Sequence, residues 1–185
     1  MMFNDSWVEE KRPCKEGLAF LNKQTDKSAV SVINALVVAK HYSWADWALT
    51  KSFTKKQNVM FAIYAAEQVI DIFEKEYPED KRPRAAIETA KRWLTGEATE
   101  AECKAAADAS ASYASAAITS TAYYAASASY AASAAYYAPY DAATAAFYAT
   151  SSAFSAAMRE KIIAYGLTLL QSEGGNSATS SSGGL

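Results

Sequence analysis

Apolar residues recur at steps of three and four along most of the chain, which is the period of an amphipathic helix. The clearest run lies between Thr54 and Pro78, where Val59, Ile63, Ala66, Ile70, Phe73 and Tyr77 form one seam. It predicts a single helix over 55–77, capped by Thr54 and stopped by Pro78. Upstream, "CKEGLAFLNKQ" reads as a first amphipathic segment leading to a turn at Thr25–Lys27. Ser28 can cap "AVSVINALVVAK", where Val30, Ile33, Leu36 and Val37 recur at helical spacing, with a short strand as the alternative. Ser43 then precedes "WADWALTKSF", a short helix with Trp44, Trp47 and Ala48 on one side. Downstream, Pro83 suits the first turn of a helix through "RAAIETAKRWL", and Gly96 suits its C-cap.

The pattern changes after Thr99. From Ala105 to Ala157, 25 of 53 residues are alanine and eight are tyrosine, and only Asp141 is charged between Asp108 and Arg159. Pro139 divides this part, and Asp141 can cap a last long helix to about Leu170. Serine, threonine and tyrosine replace the leucine and isoleucine that drive membrane insertion, so no membrane partner is expected. The threonines at 119, 121, 144 and 150 share no period, which argues against an ice-binding face.

Close helix packing accounts for the composition better. Alanine is the best helix former, and its small side chain lets backbones approach. Tyr123, Tyr130 and Tyr137 fall seven apart, nearly two turns, so they lie along one stripe and can fill gaps between helices. A second set, Tyr124 and Tyr136, points elsewhere and is the candidate recognition face, since tyrosine offers large contact area at low entropic cost.

Charge and chemistry narrow the function. At 185 residues the chain suits one domain, 1–172, with a charged half to about 104, an Ala/Ser/Tyr-rich half over 105–172 and a flexible tail over 173–185. A net charge of −2 implies no broad basic surface for nucleic acid. The N-terminus carries charges where a secretion signal needs an apolar run, and two distant cysteines fit reduced thiols, so the expected location is cytoplasmic. His41 is the only histidine and reads as a solvated helix end, while Cys103 sits in an exposed-looking helix start. No Gly-rich phosphate loop, zinc-type spacing or nucleophile signature is present, so neither catalysis, nor a metal, nor a cofactor is expected. Glu67 lies beside the apolar seam, and Arg82 and Arg84 come from the next helix. A clamp between Glu67 and these arginines is the candidate structural pair.

The same helix pair carries a resemblance. In Phe61–Thr99, an acidic helix ends in a pattern borne by Phe73, Glu74, Tyr77, Pro78, Asp80, Arg82, Pro83 and Arg84. Ala86, Ile87, Glu88, Ala90 and Trp93 follow. This resembles the alanine-rich immunity-protein family of bacteria and phages, the fifth-type immunity-like domain of polymorphic toxin systems. With "CKEGLAFL" and "SWADW" the resemblance spans roughly residues 14–170. It implies a binding protein that neutralises a cognate toxin or effector, and no catalytic residues to carry over. The alternatives are a phage counter-defence protein that sequesters a small nucleotide or blocks a defence effector, and a structural helical module; self-association is open. The expected fold is an all-α bundle of about six to eight helices.

Overall fold

A computed structural model describes residues 1–114, 120–138, 140–150 and 156–174. The protein is an all-α helical bundle, with eleven helices among the described residues. The excess over six to eight has three sources: an unexpected first helix, a break within 55–77, and two helices where one was expected near the end.

The first helix, α1 (Asp5–Lys11), has complete end signals but only one turn of apolar residues. Asn4 accepts from the Trp7 backbone N–H at 3.0 Å, and Arg12 ends the helix in the left-handed region at φ 51°. Next come α2 (Lys15–Asn22) and α3 (Ala29–Val38). Ser28 caps α3 as expected, accepting from Ser31 N–H at 3.3 Å, and is itself held by Asp26. The buried face of α3 is Ala29, Val32, Ile33 and Leu36, so the helical reading of this segment holds. The fourth helix, α4 (Tyr42–Ser52), starts at His41 rather than after Ser43.

The long seam is buried, but it is not one helix. It splits into α5 (Lys55–Glu67) and α6 (Ile70–Glu76). Thr54 and Gln57 form a reciprocal capping box at the start of α5. At the break, Gln68 N–H bonds Ala65 O at 3.3 Å and Val69 N–H bonds Ala66 O at 3.1 Å, both one residue short of the α pattern. The carbonyl of Tyr64, which a continuous helix would bond to Gln68 N–H, takes the Gln68 side-chain amide instead at 2.9 Å. The seam survives because spacings of three and four bury the same residues on either side of a tight turn.

Helix α7 (Arg82–Thr95) begins with Pro83 and ends at Gly96, whose φ of 82° is the left-handed cap that glycine adopts without strain. Helix α8 (Glu100–Ala114) opens on a Thr99–Glu102 capping box. Helices α9 (Ser120–Tyr137), α10 (Tyr140–Thr150) and α11 (Ala156–Gly174) complete the order. Asp141 lies inside the first turn of α10 rather than at its cap. Residues 175–185 of the expected tail lie outside the described residues.

Helix α5 runs through the middle. Eight of its residues are buried, and it packs against α7, α9, α10 and α11. One main cluster of buried apolar residues extends from Phe3 to Leu169. Two contacts fix the last helix to this centre. Gln57 Nε2 donates to the Leu169 carbonyl at 2.7 Å. Gly166 meets Leu49 and Phe61 so closely that a Cβ there would lie 2.8 Å and 3.0 Å from their side chains.

Candidate functional site

The alanine-rich helices pack through alanine, not through tyrosine. Ala125, Ala128, Ala131, Ala132, Ala134 and Ala135 of α9 are sealed from solvent, as are Ala142, Ala145 and Ala149 of α10. Side chains this small bring neighbouring backbones close enough for buried serines to reach across. Ser110 of α8 donates to Ala125 O at 2.9 Å, Ser127 of α9 to Ala145 O at 2.9 Å, and Ser129 to Ala107 O at 2.8 Å. A carbonyl has two lone pairs, so it accepts these bonds without giving up its place in the helix. Ser133 donates to Asp141, whose carboxyl is held above its ordinary range by burial, with the serine bond opposing.

Rings that cannot enter such a seam go to the outside. Tyr123 is 43% exposed, Tyr137 63%, Tyr140 72% and Phe147 52%. The heptad stripe Tyr123, Tyr130, Tyr137 on α9 meets the α10 pair Tyr140 and Phe147, also seven apart, with half-buried Tyr148 between the helices. Tyr148 stacks on Tyr130 at 5.3 Å and on Tyr123 at 5.7 Å, and Phe147 meets it edge-on at 5.6 Å. Burial, then Tyr148, raises the Tyr130 phenol further above its ordinary value, so it stays neutral and donates. The only charge in this stretch, Asp141, is buried, so α9 and α10 add no exposed charge to the face, and the exposed Lys104–Asp108 pair of α8 borders it near Tyr137.

The two sets of tyrosines depart in part from the roles expected from the sequence. Tyr123 and Tyr137 face outward, while Tyr130 is half-buried against the core and fills the gap between α9 and α10 as expected. Tyr124 is 4% exposed and lies in the main core cluster, so it is no contact residue. Twelve residues separate Tyr124 from Tyr136, which at 100° per residue puts them about 120° apart on one helix, so they never shared a face. Tyr136 is half-buried, stacked at a tilt on Tyr137 at 4.5 Å, and lines a cavity of about 440 Å³ with Glu10, Lys11, Lys51, Phe53, Lys55 and Asn58. Asn58 donates to Thr50 O and Thr54 O at 3.2 Å each, while its Oδ1 is enclosed without a partner.

The expected clamp also has other partners. Glu67 pairs with Lys91 at 2.8 Å, not with Arg82 or Arg84. Arg84 grips Glu74 through two bonds, of 3.0 Å and 2.6 Å, and reaches Asp71 at 2.8 Å. Glu74 is held below its ordinary pKa first by this bond, and Arg84 is raised by it in turn. Arg82 forks onto Asp80 at 2.9 Å and 2.6 Å and donates to Ser112 at 3.0 Å. About the turn at 77–81 the chain runs antiparallel, so Glu74 meets Arg84 and Glu67, seven residues earlier, meets Lys91, seven residues later. Cys103, expected exposed, is buried with its thiol 3.8 Å from the Thr89 carbonyl, and burial raises its pKa. His41 is exposed at the start of α4, its ring stacked on Trp44 at 4.4 Å.

The family model described as "Imm-5 like putative immunity protein" matches residues 48–169. The chain belongs to this family. The matched part of this Imm-5-like protein holds α5 to α10 entire, with the Arg84–Glu74 pair, the alanine–serine seam and the aromatic face. Membership assigns it an immunity-type role in coarse terms. No curated protein and no solved structure matches the chain. Among the described residues there is no cluster of His, Cys, Asp and Glu able to hold a metal ion, and no helix long and apolar enough to cross a membrane.

Proposed function

We propose that this protein neutralises a cognate protein toxin or effector in the cytoplasm by stoichiometric occlusion, with the aromatic face of α9 and α10 as its contact. The observation that carries the reading is the charge-free set Tyr123, Tyr137, Tyr140 and Phe147, exposed on two adjacent helices of a chain of the immunity family. Rings with few torsions lose little entropy on docking, and their hydroxyls satisfy polar groups on a partner. The backbone beneath them is fixed by the alanine–serine seam, so the face meets a partner already formed.

The test is a titration, with the purified protein, of the toxin or effector that co-purifies with it from its native host. The target's activity should reach a floor at a fixed molar ratio. The double change Tyr137→Ser and Tyr140→Ser should weaken binding by about tenfold or more, with an unaltered far-ultraviolet spectrum. Inhibition far below one equivalent, with a chemically changed target, would overturn the binding mechanism. Undiminished affinity in the double variant would overturn the surface.

A second reading rests on the cavity beside Tyr136. Lys11 pairs there with Glu10 and Lys55 with Glu100, which leaves Lys51 to take the phosphate of a small nucleotide whose base lies against Tyr136 and Phe53. Calorimetric titration with a cyclic dinucleotide distinguishes the two, because Lys51→Ala should abolish nucleotide binding and leave toxin inhibition intact.

A further inference from the structure

The N-terminal segment folds α1 to α4 around another cavity of about 440 Å³, within the size range of small-molecule sites. Its walls are apolar and largely aromatic, formed by Phe3, Trp7, Phe20, Trp44 and Trp47. Phe3 stacks on Trp7 at 4.1 Å, and Trp47 meets Trp7 edge-on at 5.7 Å, so the rings brace one another as a wall. Exposed Arg12 and Cys14 also line the space and form its rim.

One charged group at the rim has no protein partner among the described residues. Arg12 makes no ion pair among the described residues. It is also one of two non-glycine residues at positive φ, held there by its N–H bond to Val8 O at 2.9 Å. A cation at the rim selects an anion. The ring-lined interior would strip the water from a multiply charged phosphate, a penalty one guanidinium does not offset.

We propose that this cavity binds a small amphipathic carboxylate. Its apolar body lies between the indole rings, and its single anionic head sits on Arg12. The site is separate from the toxin contact. All its lining residues except Ala48 precede the family-matched segment, which begins at residue 48.

The test uses the full chain with 1-naphthaleneacetate as probe and the neutral 1-naphthaleneacetamide as control. Tryptophan fluorescence reads occupancy, and protection of the Cys14 thiol from a maleimide reads location. Buried Cys103 reacts slowly and does not interfere. The acid should shift the fluorescence and slow labelling of Cys14. Arg12→Gln should weaken the acid by about tenfold while changing the amide by less than about twofold. Arg12→Gly removes the cation while relieving the left-handed backbone, so the same selective loss in a variant with no strain identifies the charge as the cause. No fluorescence change and no protection at millimolar acid would overturn the proposal. So would an equal loss of acid and amide in both variants.

Discussion

Replacing Asp46 by asparagine should flatten the dependence of stability on pH near neutrality. Asp46 sits on α4 facing α11, with its Oδ1 enclosed and without a donor among the described residues. Burial lifts its pKa from 3.8 to about 7, and the positive Arg159 across the interface opposes only part of that. The same interface holds the Tyr42 hydroxyl bond to Glu160 at 3.1 Å, with the Arg159 guanidinium 5.7 Å from the Tyr42 ring centre. Between pH 3.8 and about 7 the unfolded chain has released this proton while the folded chain still holds it. The folded state therefore binds more protons, and stability falls as pH rises through that window, levelling above it.

A rise from 3.8 to about 7 corresponds to roughly 4 kcal/mol at about 1.4 kcal/mol per unit. The residue keeps some surface, so solvent screens part of the charge and this figure is an upper bound. Urea unfolding at a series of pH values checks it. Asp46→Asn should match the parent within about 0.5 kcal/mol near pH 4 and exceed it by at least about 1.5 kcal/mol near pH 8. Parallel curves for the two proteins from pH 4 to 8 would show that Asp46 stays ionised and hydrated, and the reasoning would fail.

Three further substitutions test the packing and the ion pairs. Gly166→Ala gains up to about 1 kcal/mol of helix propensity but forces Leu49 and Phe61 apart, so a net loss of about 1–2 kcal/mol is expected on thermal unfolding. A rise in melting temperature would mean that Leu49 moves aside freely. Glu67→Ala should cost under about 1 kcal/mol, since its pair with Lys91 is exposed and Lys91 keeps Glu88, whereas Arg84→Ala should cost about 1–2 kcal/mol by ending two charge-assisted bonds to Glu74. Equal losses would contradict this ranking.

The ends of helices were the most legible feature of the sequence. Ser28, Thr54, Pro83 and Gly96 act where their local chemistry places them, because a cap depends on three or four neighbouring residues and little else, whereas α4 starts before Ser43 and Asp141 lies inside α10. The break after Glu67 was illegible for the opposite reason. Periodicity constrains which residues are buried, and α5 and α6 bury the same residues that one straight helix would. Partners across the two segments follow their register about the turn at 77–81, which places Glu74, not Glu67, opposite Arg84. The aromatic cavity among α1 to α4 left its residue types in view as Trp7, Trp44 and Trp47, yet only folding brings Trp7 to the other two.

The tyrosines show how one physical cause sets both fold and surface. Alanine at nearly every inward position of α9 draws α8 and α10 close enough for serine hydroxyls to reach the next helix's carbonyls. At that spacing a phenol ring fits only in the main core, as Tyr124 does, or outside the seam altogether. The heptad interval of Tyr123, Tyr130 and Tyr137 places three rings on one side of α9, and the interval of Tyr140 and Phe147 does the same on α10. A two-residue connection at 138–139 makes the helices antiparallel neighbours, so the stripes lie alongside each other. The exposed aromatic face is therefore the geometric counterpart of the small-residue core. A larger residue in the seam, at Ala128 or Ala145, would separate the helices and disperse the rings together. Stability and partner recognition are coupled through the same few ångströms.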